Sequence, residues 1–243
     1  MLSPSISGVK YDEKYAAIAE SRFNYGPLAG HGQALIDVSE GPVKDGDKIL
    51  EIGCSTGLYL DQLTNTFTDK KVKIVGIDIN PDALKKAQER HEVSLADAQY
   101  LPIENGSIKA IYSLHTFEHI PDLGKAFREM ERVLAPGGKA YMIVPPNMYG
   151  LETLRVAKED LPPEKMGKGM FGEVKTWYNA WQHAKKLHCS NLGGPLGGAR
   201  NHAENILKEN GVNLKVSGGM RRDISFSNLL IFEKPAQQEL KST

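Results

Sequence analysis

Between Lys48 and Val144 short apolar runs alternate with amphipathic stretches, the pattern of a parallel sheet whose strands are joined by helices. Ile49-Leu50-Glu51-Ile52 reads as a first strand, closed by the turn Gly53-Cys54-Ser55-Thr56-Gly57. Leu60 and Leu63 mark the inner face of the helix that follows. Val72 to Ile77 is rich in β-branched residues and makes a second strand. It runs into Asp78-Ile79-Asn80-Pro81, where Asn80 suits an N-cap and Pro81 a first helical residue. Val93 to Leu95 and Lys109 to Leu114 are the third and fourth strands. Leu123, Ala126, Phe127, Met130, Val133 and Leu134 form one apolar stripe at helical spacing. Pro136-Gly137-Gly138 stops that helix, and Ala140 to Val144 reads as a fifth strand.

The flanks have a different texture. Residues 1–46 form a helical cap with helices over Asp12–Glu20 and Gly32–Ser39, and Tyr11, Tyr15, Phe23 and Tyr25 gather around the first. Residues 47–145 are the core. From 146 to 198 the alternation breaks into an insert with a helix near Val174–His188 and a glycine-rich turn at 193–198. Residues 199–243 return to order, with a helix over Ala199–Glu209 and two β segments, Val212–Val216 and Phe226–Phe232, near enough to pair antiparallel. All four segments read as one domain.

Composition narrows the function classes. The 243 residues hold 30 basic and 30 acidic side chains, and a general nucleic-acid or acidic-membrane binder would show a basic excess. Two cysteines, Cys54 and Cys189, build neither a disulfide framework nor a four-cysteine zinc site. The N-terminus lacks a basic segment followed by an apolar run, and no stretch reaches the length of a membrane span, which points to a cytoplasmic protein.

The chemistry begins at Glu51-x-Gly53-x-x-x-Gly57. Placed after a strand and before a helix, its glycines let backbone approach a ligand while the helix end offers unpaired N–H groups. Asp78 ends the second strand, where an acid can take both hydroxyls of a ribose. Asp97-Ala98 follows the third strand and can read the amino edge of an adenine. A nicotinamide-binding turn expects G-x-G-x-x-G, and Gly53-Cys54-Ser55-Thr56-Gly57-Leu58 does not supply it.

Together with Phe117-Glu118-His119-Ile120 and Arg132-Val133-Leu134-Ala135-Pro136-Gly137-Gly138, these residues resemble the class I S-adenosylmethionine-dependent methyltransferases, in particular the small-molecule group often called type 11. The resemblance implies a Rossmann-like α/β fold: a mainly parallel seven-stranded sheet with one antiparallel strand, here with the N-terminal cap and a lid-like insert after strand five. It implies S-adenosylmethionine as cofactor and S-adenosylhomocysteine as product. Glu51, Gly53, Ser55 and Gly57 would hold the methionine portion, Asp78 the ribose, and Ile79, Asp97 and Ala98 the adenine. Ser55 departs from the family's usual G-x-G-x-G, which should alter detail while retaining binding.

The fourth strand ends in His115-Thr116-Phe117-Glu118-His119, where the family places the methyl group and its acceptor. Three readings stay open for this H-x-x-E-H stretch. His119 or His115 can serve as general base, since imidazole titrates near neutral pH. The stretch can bind a divalent cation, as the similar E-x-x-E-H of some methyltransferases does. Otherwise His115 lines the cofactor pocket and Glu118-His119 caps a helix. Our expectation is catalysis without a metal. Val174, Trp177, Tyr178, Trp181 and His188 share a helical stripe that reads first as packing and second as a lid wall. Tyr11, Tyr15, Tyr25, His119, Trp177 and Trp181 are therefore the candidate acceptor-binding residues. The expected reaction is methyl transfer to an O, N or C nucleophile of a small molecule by a monomer or homodimer, with no nucleic acid as partner. An RNA or protein methyltransferase, or a non-catalytic cofactor-binding subunit, is the alternative.

Overall fold

Every residue from Ile49 to Ile52 is buried, and that run becomes the central strand of a sheet covered on both faces. The computed structural model describes residues 5–6, 9–25, 28–39, 43–145, 165–166, 173–179, 192, 198–224 and 227–236, with Ser5, Ile6, Val9, Lys10 and Tyr25 described by their backbone alone. In chain order the elements begin with a two-strand ribbon, β1 (Ser5–Ile6) and β2 (Val9–Lys10), and two cap helices, α1 (Glu13–Tyr25) and α2 (Leu28–Val38). The core follows as β3 (Lys48–Ile52), α3 (Leu58–Thr66), β4 (Lys73–Asp78), α4 (Pro81–Ala87), β5 (Glu92–Leu95), β6 (Ile108–Leu114), α5 (Leu123–Val133) and β7 (Leu134–Val144). The described part closes with α6 (Ala199–Glu209), β8 (Lys215–Met220) and β9 (Asn228–Glu233).

Seven strands form one sheet in the order β5-β4-β3-β6-β7-β9-β8. β3 to β7 are mutually parallel, and β9 runs antiparallel between β7 and β8. The order reverses between β3 and β6, so a crevice opens at their carboxyl ends. Strand alternation sends Leu50 and Ile111 to a core shared with α5 and α6. Ile49, Ala110 and Tyr112 go to the other face, beneath α2 and α3.

The α5 stripe behaves as its spacing predicts. Leu123, Ala126, Phe127, Met130 and Val133 are buried, and Asp122 caps the helix by accepting from the Lys125 N–H at 2.9 Å. Phe127 stacks on Phe117 and meets Phe232 of β9, with ring centres 5.7 and 5.1 Å away.

Several boundaries differ from the expectation, among them that of β8, which covers Lys215–Met220 and not Val212–Val216. α1 runs on to Tyr25, and α2 begins at Leu28. β7 starts at Leu134, before the Pro136-Gly137-Gly138 turn. That turn is stitched to the end of β9, the Gly137 N–H donating to the Lys234 carbonyl and the Lys234 N–H to the Gly138 carbonyl. The strand therefore passes through an irregularity that reads locally as a stop. Of the expected helix over 174–188 only the stretch to 179 lies within the described residues. There Thr176 is the buried side chain, while Val174, Trp177 and Tyr178 are exposed, so in this turn the aromatic spacing does not mark a buried face.

The cap is held to the core at defined points. Asn80 caps α4 by accepting from the Asp82 and Ala83 N–H groups, and its amide donates to the Asp12 carbonyl at the start of α1. Lys86 of α4 pairs with Glu20 of α1 at 2.7 Å. Gly32 lets α2 approach α3 closely, since a Cβ there would lie 2.8 Å from the Tyr59 ring.

Candidate functional site

The carboxyl ends of β3, β4 and β6 and the inner faces of α1 and α2 enclose a cavity of about 360 Å³. Its floor is the turn after β3. Gly53 takes φ +84°, and its missing Cβ leaves room for the Thr116 side chain at the end of β6. The Gly53 and Cys54 N–H groups both donate to the Ile77 carbonyl, which ties the turn to β4. Ser55 stands where glycine was expected and adopts the left-handed backbone a glycine would favour, φ +46°. Its N–H donates to Asp78 Oδ2 at 2.8 Å, while Asn80 N–H donates to Asp78 Oδ1 at 2.8 Å. Each oxygen of Asp78 thus holds at least one backbone donor. Burial raises the Asp78 carboxyl above its usual range, against the N–H groups of Asn80, Ser55 and Ile79 and the nearby His119, which pull it down.

Glu51 is 2% exposed. Burial raises its carboxyl well above the ordinary carboxylate range, and the charges of Asp78 and Asp61 raise it further. Its Oε2 has no hydrogen-bond partner among the described residues. An orphaned carboxylate oxygen in a cavity wall is a place for a cation or a donor. Asp97 lines the same cavity, its Oδ1 accepting from the Gln99 N–H at 2.8 Å and both oxygens from the Gln99 amide at 3.0 Å.

Above the floor lies the β6 end. His115 is the second non-glycine residue in left-handed backbone, φ +52°. Its Nδ1 is 3.4 Å from Glu118 Oε1, and its Nε2 is 2.8 Å from His31 Nδ1 of α2. His119 sits on a 3-10 turn, its Nε2 3.9 Å from the same Glu118 oxygen and its ring edge-on to Tyr15. Among the described residues no group of three His, Cys, Asp or Glu side chains is arranged to hold a metal ion.

Of the residues the sequence singles out, Glu51, Gly53, Ser55, Asp78, Ile79, Asp97, Ala98, His115, His119, Tyr11 and Tyr15 all line the cavity. Gly57 does not. It is the N-cap of α3, with Ala87 and His91 behind it. Trp177 is not in the lining either, and Trp181 and the Tyr25 side chain lie outside the described residues. Sequence reasoning missed Arg22, Leu28 and His31 of the cap, and Thr56, Leu58 and Tyr59 beyond the glycines. The glycine turn itself was the available signal for the last three. For His31 there was none, because its partner is 84 residues away.

Residues 50–142 match the family model described as a methyltransferase domain. The chain is 29% identical over 123 residues to the 27-O-demethylrifamycin SV methyltransferase of Amycolatopsis mediterranei, covering 46% of this chain and 44% of that protein. It is 30% identical over 140 residues to the malonyl-[acyl-carrier protein] O-methyltransferase of Hahella chejuensis, covering 54% and 47% respectively. The chain thus spans less than half the length of either relative. In three dimensions it is similar to phosphoethanolamine N-methyltransferase 2 of Haemonchus contortus in complex with S-adenosyl-L-methionine, with TM-score 0.60, 18% identity, and coverage of 90% of this chain and 57% of that one. A glycine turn, an acid at each of the next two strand ends and a seven-stranded sheet with one reversed strand accompany these matches, and over residues 50–142 the chain is similar to the methyltransferase-domain family.

Proposed function

We propose that the chain transfers the methyl group of S-adenosylmethionine to a small-molecule acceptor held between the core and the N-terminal cap. The observation that carries this reading is a single cavity lined both by Glu51, Asp78 and Asp97 and by the cap aromatics Tyr11, Tyr15 and Phe23. One part has the chemistry of a nucleoside and amino-acid site, the other the apolar walls usual for a small ligand. A relative supports the acceptor class, being named for a rifamycin. The balanced charge of the chain, 30 basic against 30 acidic side chains, supports it too.

The sulfonium supplies an electrophilic methyl group. The protein's part is then to bind, orient and exclude water, and orientation alone can contribute about 7–11 kcal/mol. Asp78 accepts from the ribose hydroxyls. Glu51 receives the cationic amino-acid end, and Ile79, Asp97 and Ala98 bound the adenine. Tyr11, Tyr15 and His119 wall the acceptor side. The cap closes over the acceptor in this reading, and the expected insert over 146–198 lies largely outside the described residues.

The test is calorimetry with S-adenosylhomocysteine. Removing one charge-assisted hydrogen bond to the ribose costs about 1.5–3 kcal/mol, so Asp78→Ala should weaken binding at least tenfold. Unchanged affinity in that variant would defeat the assignment.

A further inference from the structure

We propose that Glu118, His115 and His31 form a proton relay that deprotonates a hydroxyl-bearing methyl acceptor at His31 Nε2. The proposal rests on the methyl-transfer reading and names the acceptor class within it: an alcohol or phenol that keeps its proton at neutral pH.

One hydrogen bond and one ion-pair contact set the direction. Nδ1 of His31 and Nε2 of His115 are 2.8 Å apart, so one donates and the other accepts. The rings are tilted by only 28° with centres 5.1 Å apart, as an in-plane N–H···N bond requires. On its other side His115 presents Nδ1 to Glu118 Oε1 at 3.4 Å, and the Glu118 side chain is 4% exposed. In the relay Glu118 is the final proton acceptor and therefore a carboxylate, so His115 carries its proton on Nδ1 and offers the Nε2 lone pair. His31 then donates from Nδ1, and its own Nε2 is left with a lone pair. That nitrogen is buried and has no partner among the described residues, although His31 is 4% exposed and lines the cavity. A buried imidazole nitrogen without a partner is costly for a purely structural histidine. It is what a base awaiting a donor presents.

Two further observations agree. His115 holds the uncommon left-handed backbone at φ +52°, the kind of local strain that persists where a side chain must be aimed. Burial and the neighbouring His115 hold the His31 imidazole down to about 4, so it is neutral at pH 7 and does not retain a proton it receives. The relay resolves that apparent weakness, because the proton does not stop there. As the acceptor oxygen bonds to the methyl carbon, the carbon–sulfur bond breaks with its electron pair going to sulfur. The acceptor O–H proton passes to His31 Nε2, the His31 Nδ1 proton to His115 Nε2, and the His115 Nδ1 proton to Glu118. The products are a methyl ether, a neutral thioether and a protonated Glu118, with both imidazoles neutral again. His119 is set apart from the chain, its Nε2 being 3.9 Å from Glu118 Oε1 and beyond hydrogen-bond reach.

The experiment has two arms, both on the full chain. In the first, histidine-selective ¹⁵N NMR of the S-adenosylhomocysteine complex at pH 7 reads the tautomers. His31 Nε2 should be unprotonated and His115 Nδ1 protonated. In the second, methyl transfer from S-adenosylmethionine is followed with phenol and with 4-nitrophenol, which is already ionised in mildly alkaline solution. His31→Gln and Glu118→Gln should each slow phenol methylation by about 10²–10⁴-fold and 4-nitrophenol methylation far less. Glu118→Gln preserves shape and accepting capacity but cannot take up the proton, so it remains informative if His31→Gln fails to fold. A protonated His31 Nε2, equal losses on the two phenols, or a wild-type protein that binds S-adenosylhomocysteine yet methylates neither phenol would overturn the relay alone. A wild-type protein that does not bind S-adenosylhomocysteine would overturn the methyl-transfer reading and the relay with it.

Discussion

At the scale of single residues the site is built from groups that are uncomfortable until a ligand arrives. Glu51 is the clearest case: a carboxyl raised by burial, with one oxygen unpartnered among the described residues. Its folded-state pKa lies above the ordinary value of 4.5, so the folded state holds a proton that the unfolded chain gives up. Stability from this group is therefore full below pH 4.5 and declines as the pH rises toward the folded-state value. Glu51→Gln should be more stable than the wild type at pH 7 without ligand, and the advantage should vanish near pH 4, as melting temperatures across that range would record. A cationic amino-acid end beside Glu51 favours the carboxylate. Cofactor binding should accordingly release up to one proton, visible as a binding enthalpy that varies with the buffer's heat of ionisation. Ser55 carries a smaller load. Its left-handed backbone costs an L-residue roughly 1–2 kcal/mol, while glycine pays about 0.5–1 kcal/mol more in chain entropy. Ser55→Gly should raise stability by up to about 1 kcal/mol in denaturant melts and keep cofactor affinity within a few fold, because the amide to Asp78 remains.

At the scale of elements, α4 links the turn after β4 to the cap through one side chain. Asn80 both caps α4 and holds the start of α1. Asn80→Ala should cost about 1–2 kcal/mol in chemical denaturation, within the usual range for a lost cap. It should also speed hydrogen exchange at the start of α1 more than in α5, which has its own cap. The Asn80-Pro81 cap was readable from sequence because capping is local chemistry, and the α5 stripe because a face packed against a sheet imposes its period. What local pattern could not reveal came from distant partners. β7 begins at Leu134 because Lys234, a hundred residues on, completes the turn at Gly137-Gly138. α1 outlasts its apolar period, Ser21-Arg22-Phe23-Asn24 being too polar to extend it, because α2 and α4 support it. The residues expected to hold a cofactor lie on short motifs, and all of them but Gly57 line the cavity. The acceptor half is shared between a strand end and the cap, so Glu118 and His119 were visible as a cluster while His31 was not.

At the scale of the whole molecule α2 is packed into the core through Ala34, Leu35 and Ile36, and α1 is tied to it by the Asn80 bond and the Lys86–Glu20 pair. Ligand bridging cavity floor and cap should add to them, so exchange over residues 13–38 should slow when S-adenosylhomocysteine is added, while α5 stays unchanged. Equal exchange with and without ligand would mean that the cap is a fixed wall. The sheet carries a different consequence. β9 is the last described strand in the chain, yet it lies inside the sheet, bonded to β7 on one side and β8 on the other, with Leu229, Leu230 and Phe232 in the core. On the ribosome, β7 therefore emerges with an open edge that no residue yet made can cover, and β8 has nothing to join. The nascent chain must carry that edge through the 83 residues between Val144 and Asn228, an interval in which it is open to pairing with a neighbour. Slow decoding between 145 and 227 would prolong that exposure, whereas a pause after β9 has cleared the exit tunnel would not.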